Sequence, residues 1–160
     1  SYLHEYAFEG ARLQVSPPFG DIVLDSDPET PLVLASAGIG ITPVLGMLHH
    51  LAEEGGSRRV IVAHADRTRA THAHRAELAE LIGRIPGAAL HTWYDELPDG
   101  YPLGAGESRG RIDLEGLPVP SDAHAYLCGP LPFMTGVAEQ LEGVGVPSER
   151  VWFEAFTPSV

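Results

Sequence analysis

The stretch PLVLASAGIGITPVLGML, residues 31–48, decides how this chain folds. Apolar residues run from 31 to 37 and break at Gly38, Ile39 and Gly40. They return with helical spacing at Val44, Leu45, Met47 and Leu48, so the stretch reads as strand, tight turn and helix. Glycines let a backbone approach a ligand closely, and the first turn of a helix presents unpaired N–H groups carrying partial positive charge. Together they favour a bound phosphate. Thr42 is expected as the N-cap and Pro43 as the first helical residue, where its missing N–H costs nothing. The dinucleotide fingerprint G-x-G-x-x-G has a third glycine where GIGITP has Pro43. Alone, the turn fits a nucleotide site and a plain strand-to-helix connector equally well.

Working outward, Gly55 and Gly56 stop the helix, and residues 59–63 supply a β-branched strand. A polar loop, residues 64–70, leads to a helix with Leu78, Leu81 and Ile82 on one stripe, and ALHTWY, ending at Tyr94, is a third strand. Residues 95–111, rich in Gly, Pro and acids, have no periodicity and read as a surface loop, and residues 113–117 read as a short helix. AHAYLC, residues 123–128, is a fourth strand ending at Cys128, Gly129 and Pro130. Phe133, Met134, Val137 and Leu141 then repeat helically, and Val151, Trp152 and Phe153 begin a fifth strand. Alternation of this kind predicts an α/β fold: a doubly wound, five-stranded parallel sheet with helices on both faces.

Bulk properties bound the function. At 160 residues with 44% hydrophobic content the chain can bury one domain's core. Its net charge of -12 and complete lack of lysine argue against nucleic-acid binding. A single cysteine, Cys128, excludes an internal disulfide and a cysteine-based zinc site. No metal site is expected: His72 and His74 with Asp66 lack a shared face and a third ligand and read as exposed surface, while His49 and His50 read as a helix end. No stretch resembles a membrane span or signal peptide, so the cytoplasm is the expected compartment. The chain opens with Ser1, which suggests a piece of something longer. Residues 1–24 read as one or two short strands, too few to close a barrel. Residues 1–27 are therefore assigned as the remnant of a preceding domain plus linker, and 28–160 as the nucleotide-binding domain.

Ligands of parallel α/β sheets sit at the carboxyl ends of the strands, where GIGITP and CGP both expose backbone. SAGIGITPVLGML, the pair His64 and Ala65, HTWY at 91–94, YLCGPLPFM at 126–134 and FEAFTP at 153–158 together resemble the nicotinamide-binding domain of the ferredoxin reductase family. Within it, HTWY and the aromatic tail are most similar to the reductase portion of flavohaemoglobins, the nitric oxide dioxygenases. That resemblance implies NAD(P)H binding, hydride delivery to FAD held mostly by an adjoining barrel domain, and electron transfer to a haem globin domain. PPFGDI resembles the last segment of such a barrel. Two other contexts stay open: the reductase component of an oxygenase, feeding an iron–sulfur centre, and a nucleotide-binding module without turnover.

The resemblance also assigns roles. Gly38, Ile39, Gly40, Ile41, Thr42 and Pro43 form the pyrophosphate turn, with N–H groups and the threonine hydroxyl as donors. Cys128, Gly129 and Pro130 match the second nucleotide loop, where the thiol lies beside the nicotinamide; a buried small hydrophobe is the alternative for Cys128. Phe156 resembles the aromatic that covers the flavin and moves aside for the nicotinamide, Glu154 an acidic residue near the flavin, and Ala155 stands where many members carry cysteine or serine. Trp152 reads as core, and Phe133 and Met134 as core or adenine-side packing. After the second strand, His64 and Asp66 face the adenosine ribose, a carboxylate suiting NADH, while Arg67 or Arg69 suits the extra phosphate of NADPH.

Overall fold

Leu32 and Leu34 bury on one face of the sheet while Val33 and Ala35 bury on the other, and Val60 and Val62 alternate in the same way with Ile61 and Ala63. Strands apolar on both sides must be covered on both sides, which makes a parallel sheet between two layers. The structure, a computed structural model, describes residues 5–17, 20 and 22–155. Its strands are β1 (Leu32–Ala37), β2 (Val60–Asp66), β3 (Ala88–Tyr94), β4 (Glu107–Arg109), β5 (His124–Gly129) and β6 (Val151–Ala155). The order is β4-β3-β2-β1-β5-β6, with every pair parallel.

Among the described residues there are six strands, where the sequence predicts five. The extra one, β4, lies inside the stretch expected to be surface loop. Its three residues, Glu107, Ser108 and Arg109, carry no hydrophobic alternation. They form a strand because β3 offers an open edge, with the Thr92 N–H donating to the Gly106 carbonyl at 2.8 Å. The helix expected at 113–117 is a turn, in which the Leu117 N–H donates to the Leu114 carbonyl at 3.1 Å. No strand forms among the described residues of the first 24. Ile22 and Leu24 instead pack on the sheet's flank, and the Tyr126 hydroxyl donates to the Val23 carbonyl at 3.1 Å.

The described helices are α1 (Ile41–Glu54), α2 (Arg75–Arg84) and α3 (Leu131–Gly143). α1 and α2 cover one face through Val44, Leu48, Leu51, Leu78 and Leu81. α3 covers the other with Met134, Val137 and Leu141, beside an irregular stretch that contributes Ile112 and Leu114. The two layers are therefore unequal: two helices on one side, one helix and an extended segment on the other. Trp152 stacks on Tyr126 at 5.1 Å between ring centroids, as a packing residue.

Candidate functional site

From β1 the chain winds to β2, β3 and β4, then crosses back to place β5 on the other side of β1. That reversal separates the connections on either side of β1 and opens a crevice at the strand ends, where α/β sheets bind ligands. A cleft of about 1080 Å³ lies there. Gly38, Ile39 and Gly40 line it from the end of β1, Ala65, Asp66 and Arg67 from β2, and Gly129 and Pro130 from β5.

Glycine at position 40 is forced by the approach of two strand ends. A Cβ there would sit 2.2 Å from the Cys128 carbonyl oxygen, so any side chain would push β1 and β5 apart. The turn itself is a 3-10 segment, Gly38–Gly40, running directly into α1. Because Gly40 is already helical (φ -59, ψ -5), Thr42 falls inside the helix and does not cap it. Its hydroxyl donates to the Ile39 carbonyl at 3.1 Å, and Pro43 is the third residue of the helix instead of the first. Ile41 spends its N–H on the carbonyls of Gly38 and Ile39 and buries its side chain. Orphan N–H groups are thus left at the start of the 3-10 turn.

His64 belongs to β2, not to the loop after it, and is fully buried away from the cleft. Its Nδ1 pairs with the Ser36 hydroxyl at 2.9 Å, its ring lies 4.2 Å from that of His72 at a tilt of 32°, and its Nε2 lies 3.7 Å from Asp66 Oδ2. Burial, then the neighbouring His72, lowers its pKa from 6.5 to about 4. His72, expected on the surface, is buried too, with Nδ1 2.8 Å from the Tyr94 hydroxyl. Burial lowers its pKa as well and pushes that of Tyr94 up to about 12.

Asp66 reaches the cleft, yet its side chain is only 6% exposed, because Oδ1 accepts the Arg67 N–H at 2.6 Å and the Thr71 hydroxyl. Arg69 turns away to pair with Glu107 and stack over Tyr101. Cys128 is buried behind the β5 wall, where burial and then the charge of Glu154 push its thiol up to about 11. It is a protonated thiol at neutral pH and not a nucleophile. Glu154 is exposed on β6 in register with Cys128. Phe156 and half of PPFGDI, residues 18, 19 and 21, lie outside the described residues.

The cleft contains residues that sequence reasoning passed over: Asp95, Arg111, Ile112, Gly136 and Gln140. Gly136, a glycine in mid-helix, was a legible signal. Arg111 and Ile112 come from an irregular segment that carries none.

Residues 34–139 match the family described as the oxidoreductase NAD-binding domain. The chain is 39% identical over 163 residues to a flavohemoprotein of Deinococcus radiodurans, covering 99% of this chain and 40% of that protein. It is 35% identical over 158 residues to a flavohemoprotein of Bordetella pertussis, covering 96% and 39% respectively. The chain thus spans about two fifths of the length of these curated relatives. Among solved structures, the flavohem-like FAD/NAD binding domain of nitric oxide dioxygenase from Vibrio cholerae superposes with a TM-score of 0.85 at 34% identity, over 98% of this chain and 63% of that one.

Proposed function

The chain belongs to the oxidoreductase NAD-binding domain family, and from that premise we propose that it binds NADH or NADPH and serves as the hydride-donating half of a flavohaemoglobin-type reductase. The observation that carries this reading is the approach of Gly40 to the Cys128 carbonyl, which brings the two glycine loops together at the topological switch point. The cleft between them has room for a dinucleotide, and at Gly38 and Gly40 the pyrophosphate turn carries no side chain. Bound there, a reduced nicotinamide would supply a hydride to the flavin.

In this reading the chain's own residues bind and orient. Gly38, Ile39 and Gly40 turn backbone N–H groups to the pyrophosphate, and Gly129 and Pro130 close over it from β5. The Cys128 thiol stays protonated and packs behind the nicotinamide, so it neither attacks nor repels the ring. Glu154 faces the flavin, Phe156 keeps the flavin-covering role that the resemblance implies, and Thr42 and Pro43 shape the first turn that supports the phosphate loop. The acceptor, FAD, is held mainly by an adjoining barrel domain, and a haem globin domain of the same parent protein takes the electrons for nitric oxide dioxygenation. The relatives' names, flavohemoprotein and nitric oxide dioxygenase, support that order. The fold is read as the ferredoxin reductase type of nucleotide domain.

The test joins this chain to the FAD-binding barrel of a flavohemoprotein relative, loads it with FAD and adds NADH or NADPH without oxygen. Bleaching of the flavin absorbance is the expected result. A fusion that retains FAD but does not bleach with either nucleotide overturns the proposal.

A further inference from the structure

The polar run DSDPET, residues 25–30, has the composition of a linker, yet its own side chains fold it. Asp25 Oδ1 accepts the Asp27 N–H at 2.8 Å, Asp27 Oδ1 accepts the Glu29 N–H at 3.0 Å, and the Thr30 N–H donates to the Asp27 carbonyl at 3.2 Å. The run is a turn with a set shape before anything else touches it.

Three side chains from the sheet then grip it. Arg58, just ahead of β2, donates from Nε to the Thr30 carbonyl at 2.7 Å and from Nη1 to the Asp25 carbonyl at 2.8 Å, so one planar guanidinium spans both ends of the turn. His124, at the start of β5, sets Nδ1 3.1 Å from Asp25 Oδ2. Tyr126 holds the chain on either side of Leu24: its hydroxyl accepts the Asp25 N–H at 2.9 Å and donates to the Val23 carbonyl at 3.1 Å. Followed back from β1, the chain thus meets Arg58 and His124 at the base of the sheet and Tyr126 further along β5, in the direction of the strand ends where the cleft opens.

The grips are themselves fixed. The Tyr126 ring is buried and stacked on Trp152, and the His124 ring lies 4.9 Å from the same indole. The Arg58 carbonyl packs so closely on Gly87 that a Cβ at that glycine would overlap it. Sealing the core needs none of the polar contacts, since Ile22 and Leu24 already pack on it and a phenylalanine at 126 would stack on Trp152 equally well. What the Tyr126 hydroxyl and the Arg58 guanidinium add is a fixed course for the backbone from residue 23 to residue 30.

Resting on the reading above, in which an adjoining domain holds FAD, we propose that residues 22–30 are a rigid strut of the nucleotide domain and that Tyr126 and Arg58 are positioning residues. Through the strut they hold the flavin domain where nicotinamide and flavin meet. The boundary between the domains moves from residue 28 to a point ahead of Ile22. Hydride transfer needs donor and acceptor in contact, so slack in this connection slows the transfer without weakening nucleotide binding.

The test compares the parent with Tyr126→Phe and Arg58→Gln, both in the chain alone and in the fusion to a relative's FAD-binding barrel. In the chain alone, the Asp25 amide should be protected from hydrogen exchange in the parent and exchange about tenfold faster or more in either variant, with calorimetric NADH affinity unchanged. In the fusion, stopped-flow bleaching of the flavin at saturating NADH should slow about fivefold or more in both variants, while the NADH concentration giving half the maximal rate holds. A strap that only seals the core predicts a lower melting temperature and an unchanged rate per FAD-loaded molecule. An unprotected Asp25 amide in the parent, no quickening of exchange in the variants, or quickened exchange with the parent's bleaching rate overturns the strut and leaves the NAD(P)H reading standing. A parent fusion that retains FAD but bleaches with neither NADH nor NADPH overturns both.

Discussion

At the scale of the residue, Gly40 carries the most weight. Alanine at this position would put a methyl 2.2 Å from the Cys128 oxygen, and a backbone carbonyl within a paired strand cannot step aside. Gly40→Ala should cost about 2–3 kcal/mol in urea unfolding, the scale of overpacking, and weaken NADH binding as β1 and β5 separate. His64 sets a second expectation. Its folded pKa of about 4 lies below the ordinary 6.5, so the unfolded chain takes up the proton first as the pH falls. The stability involved is complete above pH 6.5 and drains away toward pH 4, by about 3 kcal/mol at most. His72 contributes in the same direction, with Asp66 opposing at both rings. Unfolding free energy measured across that range should rise with pH, and His64→Gln, which keeps a partner for Ser36, should flatten the slope by about one proton. Gly38 and Gly40 were legible in the sequence because a glycine turn between strand and helix has few physical meanings. The burial of His64 was not, because a polar residue at a strand end gives no sign that Ser36 and His72 will enclose it. Thr42 failed as a cap for a related reason: the 3-10 turn began the helix earlier than any side chain could signal.

Among the elements, β4 shows how a strand can exist with almost no pattern of its own. Glu107 accepts from the Gly104 N–H at 2.8 Å and pairs with Arg69, whose guanidinium also donates to the Pro102 carbonyl at 3.2 Å and lies 4.8 Å over the Tyr101 ring. Arg69, after β2, thereby ties the connection between β3 and β4 at residues 101, 102 and 107, while Arg109 holds the carbonyls of Leu97 and Pro98. Arg69→Ala should release it. Amide exchange of residues 106–110 should quicken by about tenfold or more while the central strands β1 and β5 stay protected, a local opening readable by hydrogen–deuterium exchange. β1, β2, β3, β5, β6 and the three helices were visible from apolar runs and helical stripes, and β3 ends where the sequence places it, at Tyr94. β4 was invisible because its pairing comes from a neighbour's edge and an ion pair distant in sequence, neither of which periodicity records.

For the molecule as a whole, the two faces of the sheet divide the work. The alternation of apolar strands with helices was enough to predict a sheet covered on both sides. It could not say that one face would carry two helices and the other a helix and an irregular segment, so the second wall of the cleft was beyond reach. That asymmetry has a measurable consequence. Leu81 on α2 and Leu114 on the irregular segment are both buried, and replacing either with alanine should cost about 2–4 kcal/mol as the surrounding core fails to close around the gap. Their effects on ligand binding should differ. Leu81 faces the layer of α1 and α2, away from every cleft residue, so Leu81→Ala should leave NADH affinity unchanged under conditions where the protein stays folded. Leu114 packs in the α3 layer, its N–H held by Gln140 next to Ile112 and Arg111, so Leu114→Ala should loosen that wall. A severalfold loss of NADH affinity is expected, measured by titration beside matched urea curves. Equal affinities in the two variants would mean that the irregular segment is only a cover for the sheet and takes no part in holding the nucleotide.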